Sequence, residues 1–502
     1  MESNVFYTTN RNIIKNIWLI PIVLITVACG WLIARKGVAI GMIFLVLPFI
    51  AGFVALVFLK PRIGMFTYIV YVFVMPTIGK HIPGLQVGLG TDGILLLTLF
   101  AILFFRSDKF KFRYINNDLF WTAVVWFVIT ILQLGNPERP SILGWVYEMR
   151  SATLYWILTI PLAILLFYKK SDINTFFTII IVLSLIGAVY GVKQMKMGPD
   201  AAENRWLEEG PKKTHVLFGK LRVFSYYSDA AQFGASQAHI AIMCIILAVG
   251  PHSRKKKLTY MIAGLVIMYG MIISGTRGAL FGLVGGGFMF LILSKQIKIL
   301  LLGAIVGGGA LGVLKYTTIG NQNAEIRRLR TSLDPKDASL QVRFINQQIL
   351  ANYIKNKPFG AGVGTMGTWG TIYNKNKYIS TIPPDSLYVK IWGMYGIVGF
   401  LIWFGMMMYI LGKSAGIIWK TRDPVLKNQL ASLCSGVAGI LLCSYGNEVL
   451  NAMPSEAVVF VSLAFIWLSP RWDTPETKKI ETDENEELIY SNNHKIGLTN
   501  QV

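Results

Sequence analysis

Charge is what this sequence has least of: 15% of its 502 residues are Asp, Glu, Lys or Arg, against roughly 25% in an ordinary soluble domain. A chain of this length cannot clothe a water-facing surface with so few charges, which excludes a soluble enzyme. Cysteine is scarce too. Cys29, Cys244, Cys434 and Cys443 all lie inside apolar runs, with no CxxC and no Cys/His metal spacing. A disulfide framework and a zinc site are thereby excluded, and the four read as small core residues. No internal repeat is present. Acidic residues are the rarer charges, 26 against 48 basic, for a net +22. Such a balance can signal nucleic acid, but the Lys and Arg fall in short clusters between apolar runs and no aromatic-interleaved basic domain exists. Nucleic acid is therefore excluded as a partner.

What is abundant is apolar sequence. Hydrophobic residues make up 54% of the chain and the mean hydropathy is +0.52. Val38 to Leu59, Leu119 to Leu134, Phe176 to Val192 and Gly278 to Leu293 are near-continuous runs without a charge. A helix of about 17 to 25 such residues crosses a bilayer core with every backbone group satisfied. Fourteen spans are expected, beginning near Ile17, Val38, Met65, Gly93, Leu119, Ala152, Phe176, Phe233, Leu258, Gly278, Ile299, Leu387, Gln429 and Glu456. The third, fourth and last are short or polar, so 12 to 14 spans bound the count. The fold class is an all-α polytopic transmembrane bundle with a long, partly helical outer loop.

Every second connection is basic: Arg11/Lys15, Lys60/Arg62, Arg106 to Arg113, Lys169/Lys170, Arg254 to Lys257, Lys295/Lys298 and Lys413 to Lys427. The positive-inside rule places these in the cytoplasm. Both termini are then cytoplasmic, as fourteen spans require. Residues 1–16 form the N-terminal segment, 17–469 the bundle and 470–502 a polar, acidic tail read as disordered. The first run lacks a small-residue cleavage site and reads as a span, not a signal peptide.

Two long connections fall outside, about 193–232 and 316–384. In the second, Asp337 to Lys357 has helical spacing, with Asp337 or Ser339 as cap, an apolar face of Leu340, Phe344, Ile345, Ile349, Tyr353 and Ile354, and Pro358/Gly360 as terminator. The glycine cluster Gly360–Ala361–Gly362–Val363–Gly364 reads either as a flexible turn or as a weak anion cradle. It is not a P-loop, since no Gly-Lys-Ser/Thr follows it. Arg222, Arg277 and Arg343 stand on this same side, where the rule disfavours positive charge. Arg277 is wedged between two apolar spans, and a charge there is a functional candidate. A guanidinium fork matches phosphate oxygens, so a lipid-linked diphosphate and anionic headgroups are both open partners. Lys220, Tyr226, Tyr227 and Trp369 are further outer residues. The aromatics read as sugar-stacking groups or as an interfacial belt.

The order Arg222, Ser274–Gly275–Thr276–Arg277–Gly278–Ala279, Arg343, Asn356–Lys357–Pro358–Phe359–Gly360–Ala361–Gly362, then Pro384–Asp385–Ser386–Leu387–Tyr388 with Gly396 and Gly399, resembles the O-antigen ligase and polymerase superfamily. The likeness covers roughly residues 215–410. It implies a glycosyltransferase of surface polysaccharide assembly on the outer face of a bacterial inner membrane. The implied donor is an undecaprenyl-diphosphate-linked glycan, and the acceptor is lipid A-core or another lipid-linked glycan. No metal or cofactor is implied. The family's diphosphate-holding arginines correspond to Arg222 and Arg277, and more loosely to Arg343, with Lys220 and Ser386 nearby.

The ligase pattern is His, then Asn, Ser or Gln, nine residues, Gly, two residues, Gly. Ser386, Gly396 and Gly399 fit it, and Asp385 stands where the His belongs. A carboxylate can serve as general base, and an acidic residue here looks more like the polymerase branches. Asp385 could equally cap the next helix. A polymerase is the leading expectation. A lipid A-core ligase, a flippase of lipid-linked sugars and a non-catalytic assembly scaffold are the alternatives. A transporter usually shows repeat symmetry.

Overall fold

The structure, a computed structural model, describes residues 38–105, 110–217, 219–295, 297–319 and 338–473, with isolated positions before and between them. The run from Ile17, the Asp337 cap and the tail from 474 lie outside the described residues.

In chain order the helices are α1 (Val38–Leu59), α2 (Pro61–His81), α3 (Gly88–Phe100, prolonged by a π turn), α4 (Asp118–Leu132) and α5 (Ile142–Met149). A π turn over Arg150–Leu154 carries α5 into α6 (Tyr155–Leu166), and α7 (Ser171–Met197) follows. The next connection holds the short helices α8 (Ala201–Glu208) and α9 (Lys212–His215) and an antiparallel hairpin of β1 (Val216–Leu217) and β2 (Lys220–Leu221). Then come α10 (Ala230–Val249), α11 (Arg254–Ile273), α12 (Arg277–Ser294), α13 (Ile297–Tyr316), α14 (Ala338–Ile354), α15 (Gly367–Tyr373), α16 (Leu387–Lys420), α17 (Pro424–Cys443) and α18 (Ser455–Leu468). Helices stand at every expected span from Val38 onward. Among the described residues ten helical segments are long and apolar enough to cross a membrane. The chain is an all-α, multi-pass membrane bundle.

The two ends of the bundle differ in chemistry. At one end the basic connections meet: Arg62 pairs with Asp172, Lys170 with Asp423 at 3.0 Å, and Arg471 lies over the Tyr114 ring. At the other end lie the long connections, joined by His81–Asp200 at 3.1 Å, Lys357–Glu138 at 3.1 Å and the Gln232 amide on the Ala452 carbonyl. The central helix is α10, with 17 of its 20 residues buried. Helices α12 and α17 cross almost backbone to backbone. A Cβ on Gly286 would lie 2.9 Å from the Ser435 carbonyl, and one on Gly439 would strike Gly282. Small residues permit this approach, and van der Waals contact is the force that holds helices together in lipid.

Helix α16 is broken at Gly396, where φ is +70°. A break frees carbonyls that lipid cannot satisfy. Here the glycine cluster satisfies them: Ala361 N donates to Gly393 O and Gly362 N to Met394 O, both at 2.9 Å, while Val398 N donates to Pro358 O at 3.2 Å. The cluster is thus neither a flexible turn nor an anion cradle, because its amides are spent on the kink. Contact is close enough that a Cβ on Gly360 would hit the Met394 and Gly396 backbone.

Helix α14 divides its apolar residues between two sides. Phe344 and Ile345 are exposed, and the face turned to the bundle carries Arg343, Asn346, Gln347, Leu350 and Ile354. The helix presents its outer apolar residues away from the protein and a polar stripe towards α16. Apolar spacing alone could not tell which side is lipid and which is a polar cavity.

Gly396→Ala should destabilise the detergent-purified protein by on the order of 1–3 kcal/mol, the cost of a non-glycine residue in this backbone region. Its Cβ would also strike Pro358. Gly412→Ala, on the same helix with open space around the new methyl, should leave the melting temperature within error. Equal melting temperatures for both variants would refute the account of the kink.

Candidate functional site

The site begins at the turn between α11 and α12. Ser274 Oγ donates to Met271 O at 2.6 Å and accepts from Thr276 N at 3.1 Å, while Gly275 takes φ +57°. Thr276 Oγ1 donates to Ala230 O at 2.7 Å, which ties the turn to the first residue of α10. This fit needs Gly234, whose Cβ would collide with Ser274 and Thr276. Arg277 is therefore held as the first residue of α12, at a helix end whose free amides favour anions.

Arg222 follows β2 and reaches the same turn. Its backbone N donates to His215 O at 2.7 Å, Nη1 to Thr214 O at 3.1 Å and Nη2 to Thr276 Oγ1 at 3.4 Å. Burial lowers the proton affinity of this guanidinium, Asp229 opposes that, and the like charge of Arg277 adds to it. Two arginines thus sit within electrostatic reach of one another around Thr276.

Arg343 comes from α14. A Cβ on Gly446 would lie 3.5 Å from Gly278 Cα and 3.8 Å from Arg343 Nη1. The third guanidinium therefore borders the residue next to Arg277. One turn along α14, Asn346 Nδ2 donates to Asp385 Oδ2 at 3.1 Å. Residues three apart share a helix face, so Arg343 and Asp385 meet on one side of α14. The cap of α16 is Ser386, not Asp385. Ser386 Oγ accepts from Tyr388 N at 3.2 Å and donates to Ser444 O at 3.3 Å, and Leu387 N also donates to Ser444 O. That leaves the Asp385 carboxylate to the site.

Four of the expected residues thus converge: Arg222, Arg277, Arg343 and Asp385. The others do not join them. Ser386 is buried with its hydroxyl spent on the cap. Tyr227 is wholly buried, with its hydroxyl accepting from Gln237 at 3.1 Å, and Tyr226 stacks on it at 4.8 Å. Both are core residues, since their rings are enclosed by α7 and α10 rather than open to a sugar. Lys220 is exposed on the hairpin. Trp369 is half-buried and stacks on Tyr147 at 4.6 Å, with Tyr373 beside them.

An ion cluster one turn into α16 escaped the sequence reading. Lys390 Nζ lies 2.9 Å from Glu148 and 2.8 Å from Glu448. A lysine and a glutamate inside apolar runs are the signal that could have found it.

His215 closes the Arg222 side. Its Nδ1 lies 3.0 Å from Pro211 O, which can only accept, and its Nε2 takes Ala230 N–H at 3.3 Å. The imidazole is therefore neutral. Burial holds its pKa below the ordinary value, and Arg222 and Lys80 push the same way against Asp229 and the Pro211 bond. Below about pH 6.5 the unfolded segment takes up a proton that the folded one resists. Stability is thus complete above that value and falls as the pH drops towards the lower folded pKa. We expect the melting temperature to decline between pH 7 and pH 5, and His215→Gln to flatten that decline. Parallel curves would remove His215 as its cause.

A comparison with curated proteins gives no match to the chain. A family model described as O-antigen ligase matches residues 262–404, a stretch that holds the Arg277 turn, Arg343 and Asp385. Over those residues the chain carries a domain similar to the O-antigen ligases, set within a multi-pass membrane bundle.

Proposed function

We propose that the protein is a glycosyltransferase that extends surface polysaccharide on the outer face of the inner membrane, drawing on an undecaprenyl-diphosphate-linked glycan. The observation that carries this reading is the convergence of Arg222, Arg277 and Arg343 beside the Asp385 carboxylate. The acceptor hydroxyl oxygen attacks the anomeric carbon and passes its proton to Asp385. The bond from that carbon to the diphosphate breaks, and undecaprenyl diphosphate leaves with the electron pair. Charge grows on the leaving group, and fixed arginines with a helix N-terminus stabilise it without reorganising. A single displacement inverts the anomeric centre. No metal is assigned a role.

Two features support the details. The basic connections gather at the end of the bundle opposite the cluster, which by the positive-inside rule supports an outer site. A cavity of about 160 Å³ lined by Gln347, Tyr388, Val389, Trp392, Ile397, Phe400 and Tyr445 opens beside the cluster. Its lining suits an isoprenoid chain. Polymerase is favoured over ligase because Asp385 occupies the place of the ligase histidine.

In proteoliposomes, Asp385→Asn should lower turnover by roughly 10²–10⁴, the usual worth of a general base, with binding of undecaprenyl diphosphate unchanged. Unchanged turnover would remove the base assignment. Arg277→Ala should weaken binding of undecaprenyl diphosphate by about tenfold or more, as loss of a charged hydrogen bond implies; equal affinity would remove that role. On gels of surface polysaccharide, a deletion strain should lack long chains yet retain single repeats. Full-length polymer left on the lipid carrier would indicate a ligase instead.

A further inference from the structure

Two carboxylates share the Lys390 ammonium. Glu148 is completely buried and lies 2.9 Å from it. Glu448 lies on the same nitrogen, and its side chain is 31% exposed. Glu448 therefore faces open space as well as the lysine, which Glu148 does not. One Glu448 oxygen, Oε2, accepts from Lys390.

The place of Glu448 is fixed by the loop that leaves α17. Ser444 O receives the first amide of α16, and Gly446 lies against Gly278 and Arg343. Glu448 comes next, on Lys390, one helical turn or roughly 5 Å further along α16 than Ser386. On the far side of Lys390 stands α15, where a Cβ on Gly367 would lie 3.4 Å from Nζ. Trp369 and Tyr373 belong to α15, and their stacking partner Tyr147 directly precedes Glu148. The site thus has two chemically unlike ends. The arginine end attracts a diphosphate. The Glu448 end repels one, but offers a carboxylate, a group that accepts the hydroxyls of a polyol.

We propose that Glu448 is a glycan-binding carboxylate, which accepts hydroxyl groups of the acceptor sugar and so orients it towards Asp385. This rests on the glycan-transfer reading above. A role confined to pairing Lys390 would leave the half-saturation for glycan unaltered when Glu448 is replaced by Gln, which still accepts from the lysine.

The test uses full-length protein in proteoliposomes, with two probes: undecaprenyl diphosphate for the arginine end, and lipid-linked glycan extracted from the producing strain as transfer substrate. Glu448→Gln keeps an acceptor for Lys390 but removes the charge. We expect the glycan concentration for half-maximal transfer to rise about tenfold, the difference between a charged and a neutral hydrogen bond. Maximal rate should stay within about twofold and undecaprenyl diphosphate should bind as before. An unchanged half-saturation, or a loss of undecaprenyl diphosphate binding, would overturn the proposal. Glu448→Ala serves as the folding control. A fall in its melting temperature with loss of both ligands would make Glu448 structural and overturn it too. If wild type binds undecaprenyl diphosphate no better than Arg277→Ala, the underlying reading fails, and that result is distinct from any obtained with Glu448.

Discussion

Everything on the site-bearing end depends on how the break in α16 is sealed. A transmembrane helix cannot leave carbonyls bare in hydrocarbon, and the break at Gly396 would do so. The amides of Ala361 and Gly362 supply the missing donors. That contact pins the chain after α14 to the middle of α16. It sets where α15 must lie, and so which side chain stands next to Lys390. Glycine is needed on both partners because either Cβ would enter the other backbone. Gln133 and Asn136 at the end of α4 donate to Phe359 O from behind, which holds the segment on its second side.

On this frame the arginines are placed by neutral groups. Thr276 takes a hydrogen bond from Arg222 and gives one to Ala230, so a single hydroxyl registers a loop, a turn and the central helix. The glycine-lined crossing of α12 and α17 then brings Gly446 against Gly278, with Arg343 at the same spot. Gathering like charges at a helix N-terminus costs free energy unless an anion is present. That is the electrostatic sense in which the cluster fits the proposed diphosphate leaving group. Asp385 is not spent as a cap because Ser386 takes over the capping of α16.

Much of this could be read in the sequence, and what could not be shares a cause. Arg222, Arg277 and Arg343 stand out since a charge beside apolar spans is conspicuous against its background. Asp385 is marked by its spacing to Gly396 and Gly399. Tyr227 and Ser386 show the limit of a linear reading, because one side chain serves equally well in a core, a cap or a binding site, and only its neighbours decide. The apolar spacing of α14 does not say which of its residues face outward, since in a membrane protein apolar residues face lipid as well as the core. Lys390 and Glu148 sit in separate runs 242 residues apart, so neither shows its partner in a linear reading.

Sequence by itself determined the solvent of this protein and the place of its long apolar helices from Val38 on, because burial in lipid demands long uncharged runs and local hydrogen bonding. It also determined which residues are chemically out of place. The tertiary structure decided which of those residues meet. Convergence of Arg222, Arg277, Arg343 and Asp385, the spending of the glycine amides on the α16 kink and the pairing of Lys390 with two glutamates all arise from close approach between distant segments. Such approaches follow from side-chain volume and backbone shape in three dimensions, which no period or composition encodes.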